Sequence, residues 1–273
     1  MNIPLTLGIV VAAVVVAVAT FLVLRRFAPE GGFFTDGDRA AGVFGVLATG
    51  FSVLLGFVIF LAFTSYDTAR SGARSEATDV IQQYETAQLM PQPASHTLSG
   101  QLICYGRAVV NIEWPELRAG SKPSMNPWGV PLFRTLAATV PKTASEQAAY
   151  SKWLDQTSDR EQARLDRVQA GSGVIPAPLW LILFVTGALV ALYALLFADP
   201  REHWFPQAVI AGTIAAMLAT SLLVIRFLNN PYSPGTGTLQ PTDMNRVLTQ
   251  LQTASELLGI RVHIPCDEAG RPL

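Results

Sequence analysis

Residues 40–63 contain no charged side chain, and the charge-free run is bounded by Arg39 and Asp67. A helix of about 20 apolar residues crosses a hydrocarbon core, so this run predicts a membrane span. Residues 5–24 and 179–198 are likewise free of charge, and 205–228 carries only Arg226, at its end, where it snorkels to the interface. Four spans of this kind leave few folds open, because backbone in lipid must satisfy its own hydrogen bonds. Half the chain is hydrophobic and only 14% is charged, as befits a small multi-pass membrane protein.

The second span has a distinctive face. At 100° per residue, Gly45, Thr49, Ser52 and Gly56 align. Carried onward, the same helix brings Asp67, Arg70 and Arg74 close to that line, whereas Phe44, Phe51, Phe57 and Phe60 fall mostly on other faces. One reading is a pore-lining helix: Gly45, Thr49, Ser52 and Gly56 line the pathway, and Asp67, Arg70 and Arg74 line its vestibule. The other is a small-residue seam for close helix packing, with the arginines on a solvated face paired to Glu76 or Asp79. Both stay open at this point.

The first span is read as a retained helix rather than a signal peptide, since Met1, Asn2, Ile3 and Pro4 carry no side-chain charge. Thr35 or Asp36 is placed to cap the second. The polar stretch 65–175 reads as a helical extramembrane domain. The second span continues through an amphipathic stretch to Pro91 and Pro93, with Ala77, Val80, Ile81, Tyr84 and Ala87 on one face. Ser95 is expected to cap a further helix to Trp114, which Pro115 stops, with Glu113, Trp114 and Pro115 forming a structural helix end. Residues 120–131 read as loop, 132–140 as a short helix and 143–169 as a long one. Gly171 and Gly173 read as a hinge before the third span. The fourth span carries Ala208, Gly212, Ala216 and Thr220 at four-residue spacing, a packing face. A last amphipathic helix, capped by Thr242 or Asp243, is expected through Leu258, followed by a loosely ordered tail from Arg261. The fold class is therefore an all-α membrane protein of four transmembrane helices, with a helical extramembrane region between the second and third. Its parts are 1–64, 65–175, 176–230 and 231–273.

Composition excludes several functions. Net charge is −1, with no basic run for nucleic acid. His96, His203 and His263 lie far apart, without metal-ligand spacing, and no catalytic motif occurs. We therefore expect no enzyme, no metal and no cofactor. Cys104 and Cys266 share one side in a four-span topology. In an oxidising compartment a bridge would tie the tail to the domain; in a reducing one they are ordinary small buried residues, the reading taken here.

Several short motifs carry a resemblance: Gly56 and Phe57, Tyr66 and Asp67, Ala69, Glu76 and Ala77, the triplet Glu113, Trp114 and Pro115, Arg160 and Arg164 ahead of Pro178, Leu179 and Trp180, and Pro231 with Gly235. Together they make residues 40–240 resemble the bestrophin-like family of bacterial membrane proteins, a domain of unknown function. That family usually has an acidic residue ahead of the exit proline, where Asn229 and Asn230 stand here. The resemblance implies an oligomeric anion channel lined by the second span, with its domain on the cytoplasmic side.

The expected function is a homo-oligomeric ion channel of the inner membrane, with the lipid bilayer and an inorganic anion as partners. The alternative is a non-conducting scaffold or sensor whose domain binds a partner or ligand. A secondary transporter fits less well, since the spans are few and none is broken in pairs. The short connections hold Arg25, Arg26, Arg39 and Arg201, and the N-terminus holds no Lys or Arg. The short-loop rule favours the connections inside and the domain outside, opposite to what the resemblance implies, while Arg70, Arg74, Arg160, Arg164 and Arg167 flank the membrane on the domain side, so both orientations stay open at this point.

Overall fold

A computed structural model describes residues 2–123, 125–171, 173–257 and 262–273. Contacts divide the chain into two units, 1–64 with 173–230 and 234–237, and 65–172 with 231–233 and 238–273.

The first unit contains α1 (Ile3–Phe27), the beginning of α2 (Gly37–Ala87), α7 (Ala177–Leu195) and α8 (Trp204–Asn229). All four helices are long and apolar enough to cross a membrane. Asp36 caps α2 by accepting a hydrogen bond from the Arg39 N–H at 3.0 Å. Pro176 and Pro178 start α7, where a missing N–H is harmless. α1 packs along α8: a Cβ added at Gly212 would meet Val14 at 3.3 Å and Val18 at 3.4 Å. α2 packs on α7, with Phe51 3.3 Å from the Cβ position of Gly187. Phe44 and Phe34 stack on Tyr193 at 5.9 Å and 5.3 Å between ring centroids.

The second unit begins in the same uninterrupted α2, which runs 51 residues with no break after its apolar part. Its members are that stretch, α3 (Ala94–Ala108), a π-helical turn (Val109–Glu113), α4 (Trp114–Arg118), α5 (Gly129–Ala137), α6 (Ala144–Gly171), α9 (Thr242–Leu257) and the tail. Val80 and Tyr84 of α2 join Leu98, Leu102, Trp128, Trp153, Met244 and Leu251 in one apolar core. The buried positions of α6 are Ala149, Trp153, Gln156, Arg160, Ala163 and Arg167. Thr143 and Glu146 form a capping box at its start: the Glu146 N–H donates to Thr143 Oγ1 at 3.2 Å, and the Thr143 N–H to Glu146 Oε2 at 3.0 Å. The Lys142 N–H, at 2.6 Å, and the Thr143 N–H both donate to the Glu146 carboxyl and hold it below its usual range.

Several expectations are corrected here. Ser95 caps nothing: it lies one turn-position inside α3, buried, and its carbonyl accepts the Ser99 hydroxyl at 2.8 Å. Pro115 does not stop the helix. The π turn ahead of it widens the backbone, with the Trp114 N–H reaching Val109 O, and Pro115 sits in the first turn of α4, where its ring is tolerated. Pro131 falls in the first turn of α5 for the same reason, so the loop ends at Gly129. Gly171 is the last residue of α6 and not a free hinge, since a Cβ there would meet the Tyr232 ring at 2.1 Å. Gly173, at φ +82°, does turn the chain. Leu258 and Arg261 lie outside the described residues.

The tail and the cysteines are the largest corrections. Cys104 and Cys266 form a disulfide. Around it the tail docks by backbone groups: Trp128 Nε1 donates to Gly270 O at 2.7 Å, Arg107 Nη1 to Asp267 O at 3.2 Å, and Asn111 Nδ2 to Glu268 O at 3.2 Å. Cys266 and Pro272 pair as an isolated bridge. Carbonyl acceptors carry no side-chain signature, so this docking leaves no periodicity to read.

Candidate functional site

The face of α2 singled out above is left open by its own chain. Gly45, Thr49, Ser52 and Gly56 are exposed, and a Cβ added at Gly45 or Gly56 meets nothing within 4 Å. The opposite face is the packed one, with Ala40, Phe51, Leu55, Val58 and Ala62 buried. Asp67, Arg70 and Arg74 are exposed as well. Ser52 Oγ donates to Ala48 O at 2.8 Å, which satisfies the hydroxyl proton within the helix and leaves its oxygen outward. Arg74 stands 4.0 Å from Asp243 with its side chain 66% exposed, a pair worth little in water. Its partner is on α9, and not the Glu76 or Asp79 of its own helix.

The helical wheel holds two further residues that a search for small and polar side chains passes over. Phe63 lies 18 positions beyond Gly45, five full turns, and so falls on the same line; Phe60 flanks it. They are 54% and 61% exposed. The row therefore reads small and weakly polar, then aromatic, then charged. The signal of Phe63 was in the sequence, because its distance from Gly45 is a whole number of turns.

Glu113 and Trp114 belong to a different construction. Glu76, Glu113, Arg160 and Arg167 are buried in the core of the second unit, with Arg164 at its edge. Arg167 forks onto Glu76, with Nη2 to Oε1 at 3.0 Å and Nε to Oε2, and its Nη2 also reaches Glu113 Oε2 at 2.7 Å. Glu113 further accepts from Arg164 Nε at 3.2 Å and Asn126 Nδ2 at 2.8 Å. Tyr105 donates to Glu76 Oε1 at 2.7 Å, and Arg160 lies 4.6 Å over the Tyr105 ring. Arg160 Nη1 also donates to Gln83 Oε1 at 2.7 Å. Burial pushes the Tyr105 phenol well above its usual range, and the Glu76 charge pushes it further. Burial works against the Arg167 cation, but Glu76 and Glu113 outweigh it and hold the guanidinium charged. Trp114 stands edge-on to Tyr232 at 5.3 Å, and the Tyr232 hydroxyl donates to Arg167 O at 3.0 Å. Buried charges survive only when paired and hydrogen-bonded, and here each carboxylate meets at least one arginine. The cluster therefore ties α2, α3, the π turn and α6 together.

Comparison with known proteins decides the family. The bestrophin-like domain matches residues 11–241. The chain belongs to the bestrophin-like family. Solved structures share the fold of this bestrophin-like chain. A bacterial bestrophin homologue from Klebsiella pneumoniae, phased from zinc, is 13% identical with a TM-score of 0.67, covering 95% of this chain and 100% of that one. A singly substituted form of the same protein is 12% identical with a TM-score of 0.68, covering 90% and 99%. Among curated proteins, none matches.

Proposed function

We propose that this chain is one subunit of an oligomeric ion channel of the inner membrane, conducting anions along α2. The observation that carries the reading is the open row of α2. Gly45, Thr49, Ser52 and Gly56 would keep the path wide and wettable, and Phe60 and Phe63 would narrow it. Charged rings and apolar constrictions are both recognised means of selecting and gating. Arg70 and Arg74, exposed beyond the aromatics, would raise the local concentration of anions. Family membership supports the same reading, and a symmetric oligomer would bring copies of the row around one axis. Small side chains would also serve a contact between copies, so the assembly and the path are expected together.

The test is flux from purified protein in liposomes loaded with chloride. Ser52→Leu is expected to reduce flux while leaving the oligomer and its thermal transition intact, because the side chain enters open space. Undiminished flux in an intact assembly sinks the placement of the path. A monomer that conducts nothing under any anion gradient sinks the channel, and leaves a scaffold or sensor whose helical unit binds a partner.

A further inference from the structure

We propose that the helical unit carrying Cys104 and Cys266 faces the oxidising side of its membrane, with the short connections 28–36 and 196–203 on the reducing side. The inference rests on the reading of α1, α2, α7 and α8 as spans, and needs nothing of conduction.

The unit is woven from two pieces of chain, 65–172 and 238–273, with α7 and α8 between them. α9 and the tail share one core with α3, so both pieces end on one side and the two intervening helices cross as a pair. Within that unit the two cysteines are bridged, and both are buried. The bridge is built into the packing. A Cβ at Gly100 would strike His263 O at 2.1 Å, one at Gly270 would strike the Ala108 N at 2.3 Å, and Arg107, Asn111 and Trp128 hold the carbonyls of Asp267, Glu268 and Gly270 that follow Cys266. Disulfides persist in oxidising compartments and are rare in reducing ones.

A second observation points the same way. Orientation follows Lys and Arg in short segments, and loops beyond about 60 residues are discounted. The short segments are residues 1–4, the two connections with their flanks and the C-terminal stretch 230–273, and the first span weighs most. Across the first span the bias is complete, since residues 1–4 hold no Lys or Arg and Arg25 and Arg26 close α1; over the other short segments Arg39 and Arg201 at the connections face Arg226, Arg246, Arg261 and Arg271 at and beyond the end of α8. The arginines that flank the spans on the other side belong largely to the long loop, and Arg160, Arg164 and Arg167 are committed to Glu76, Glu113 and Glu161. This side is the opposite of the one the family resemblance implies.

The test uses the full chain in a bacterial inner membrane and a small membrane-impermeant maleimide. Ser121 lies exposed in the unit and Glu30 exposed in a connection, and neither is near the bridge in sequence. Ser121→Cys is expected to label to completion in intact cells, and Glu30→Cys only after the membrane is permeabilised. The exposed Ser145→Cys serves as the reporter should Ser121→Cys not accumulate. In acid-trapped wild-type protein, both native sulfurs are expected to alkylate only after reduction, seen as a two-adduct mass shift. Labelling of Ser121→Cys only after permeabilisation, or two free thiols in the trapped protein, overturns the orientation. Labelling of both reporters in intact cells overturns the four-span reading itself.

Discussion

Two rows of small residues run along membrane helices of this protein, and the chain treats them in opposite ways. On α8, Ala208 and Gly212 are buried and α1 lies across them, so that a Cβ at Gly212 would press on Val14 and Val18. On α2, Gly45 and Gly56 face open space. Spacing alone makes both rows packing seams. The difference teaches that a seam's role is fixed by what covers it. The same contrast separates two sets of charges. Arg167 is fully buried and forked onto Glu76, while Arg74 is two-thirds exposed and reaches Asp243 only loosely.

The contrast can be broken by substitution. The largest effect is expected at the buried end: Arg167→Met leaves Glu76 without a cation and Glu113 with Arg164 alone, and should cost about 3–5 kcal/mol in denaturant melts of the purified protein. A loss below 1 kcal/mol would show that water reaches the cluster. Next, Gly212→Leu overfills the α1–α8 contact and should cost about 1–3 kcal/mol. Gly45→Leu, the matching change on the open row, should alter stability by no more than about 0.5 kcal/mol while reducing flux in liposomes. If Gly45→Leu destabilises as much as Gly212→Leu, the α2 row is packed in the assembly and the contrast disappears.

The smallest effect is a pH slope. Tyr105 is neutral in the fold because burial penalises the phenolate, and the Glu76 and Glu113 charges add to that penalty. Its folded pKa is raised above the unfolded value, so this contribution is whole below the ordinary phenol range near 10 and is lost as pH rises beyond it. Stability should fall in alkali, and Tyr105→Phe should flatten that slope while losing the hydrogen bond to Glu76.

Much of this fold was legible from local pattern. The four spans follow from hydropathy, the unbroken α2 from the absence of any glycine or proline between Gly56 and Pro91 other than Gly72, and the α6 face from its spacing of three and four. Gly72 is itself informative: a Cβ there would meet the α6 backbone at 2.7 Å. Capping by Asp36 was legible too. The helix stop at Pro115 was misread because a proline signal is ambiguous. It ends a helix from the inside but is welcome in a first turn, and the π turn that resolves the choice has no sequence signature of its own. Of the candidate site, the row from Gly45 to Gly56 could be drawn on a wheel; Phe63 on the same line was hidden by attention to polar side chains, and Phe60, read as facing elsewhere, stands about 60° from it.

The sequence by itself determined what depends on neighbours along the chain: where helices run, which stretches are apolar enough for lipid, and which faces they present. Only the tertiary structure decided what depends on partners far apart. It joined Cys104 to Cys266 across 162 residues, drew Glu76, Glu113 and Arg167 from three elements into one cluster, and covered one small-residue row while leaving the other bare. The physical reason is range. Backbone propensity and hydropathy act within a few turns, whereas a disulfide, a buried ion pair or a packed glycine exists only when two distant surfaces meet.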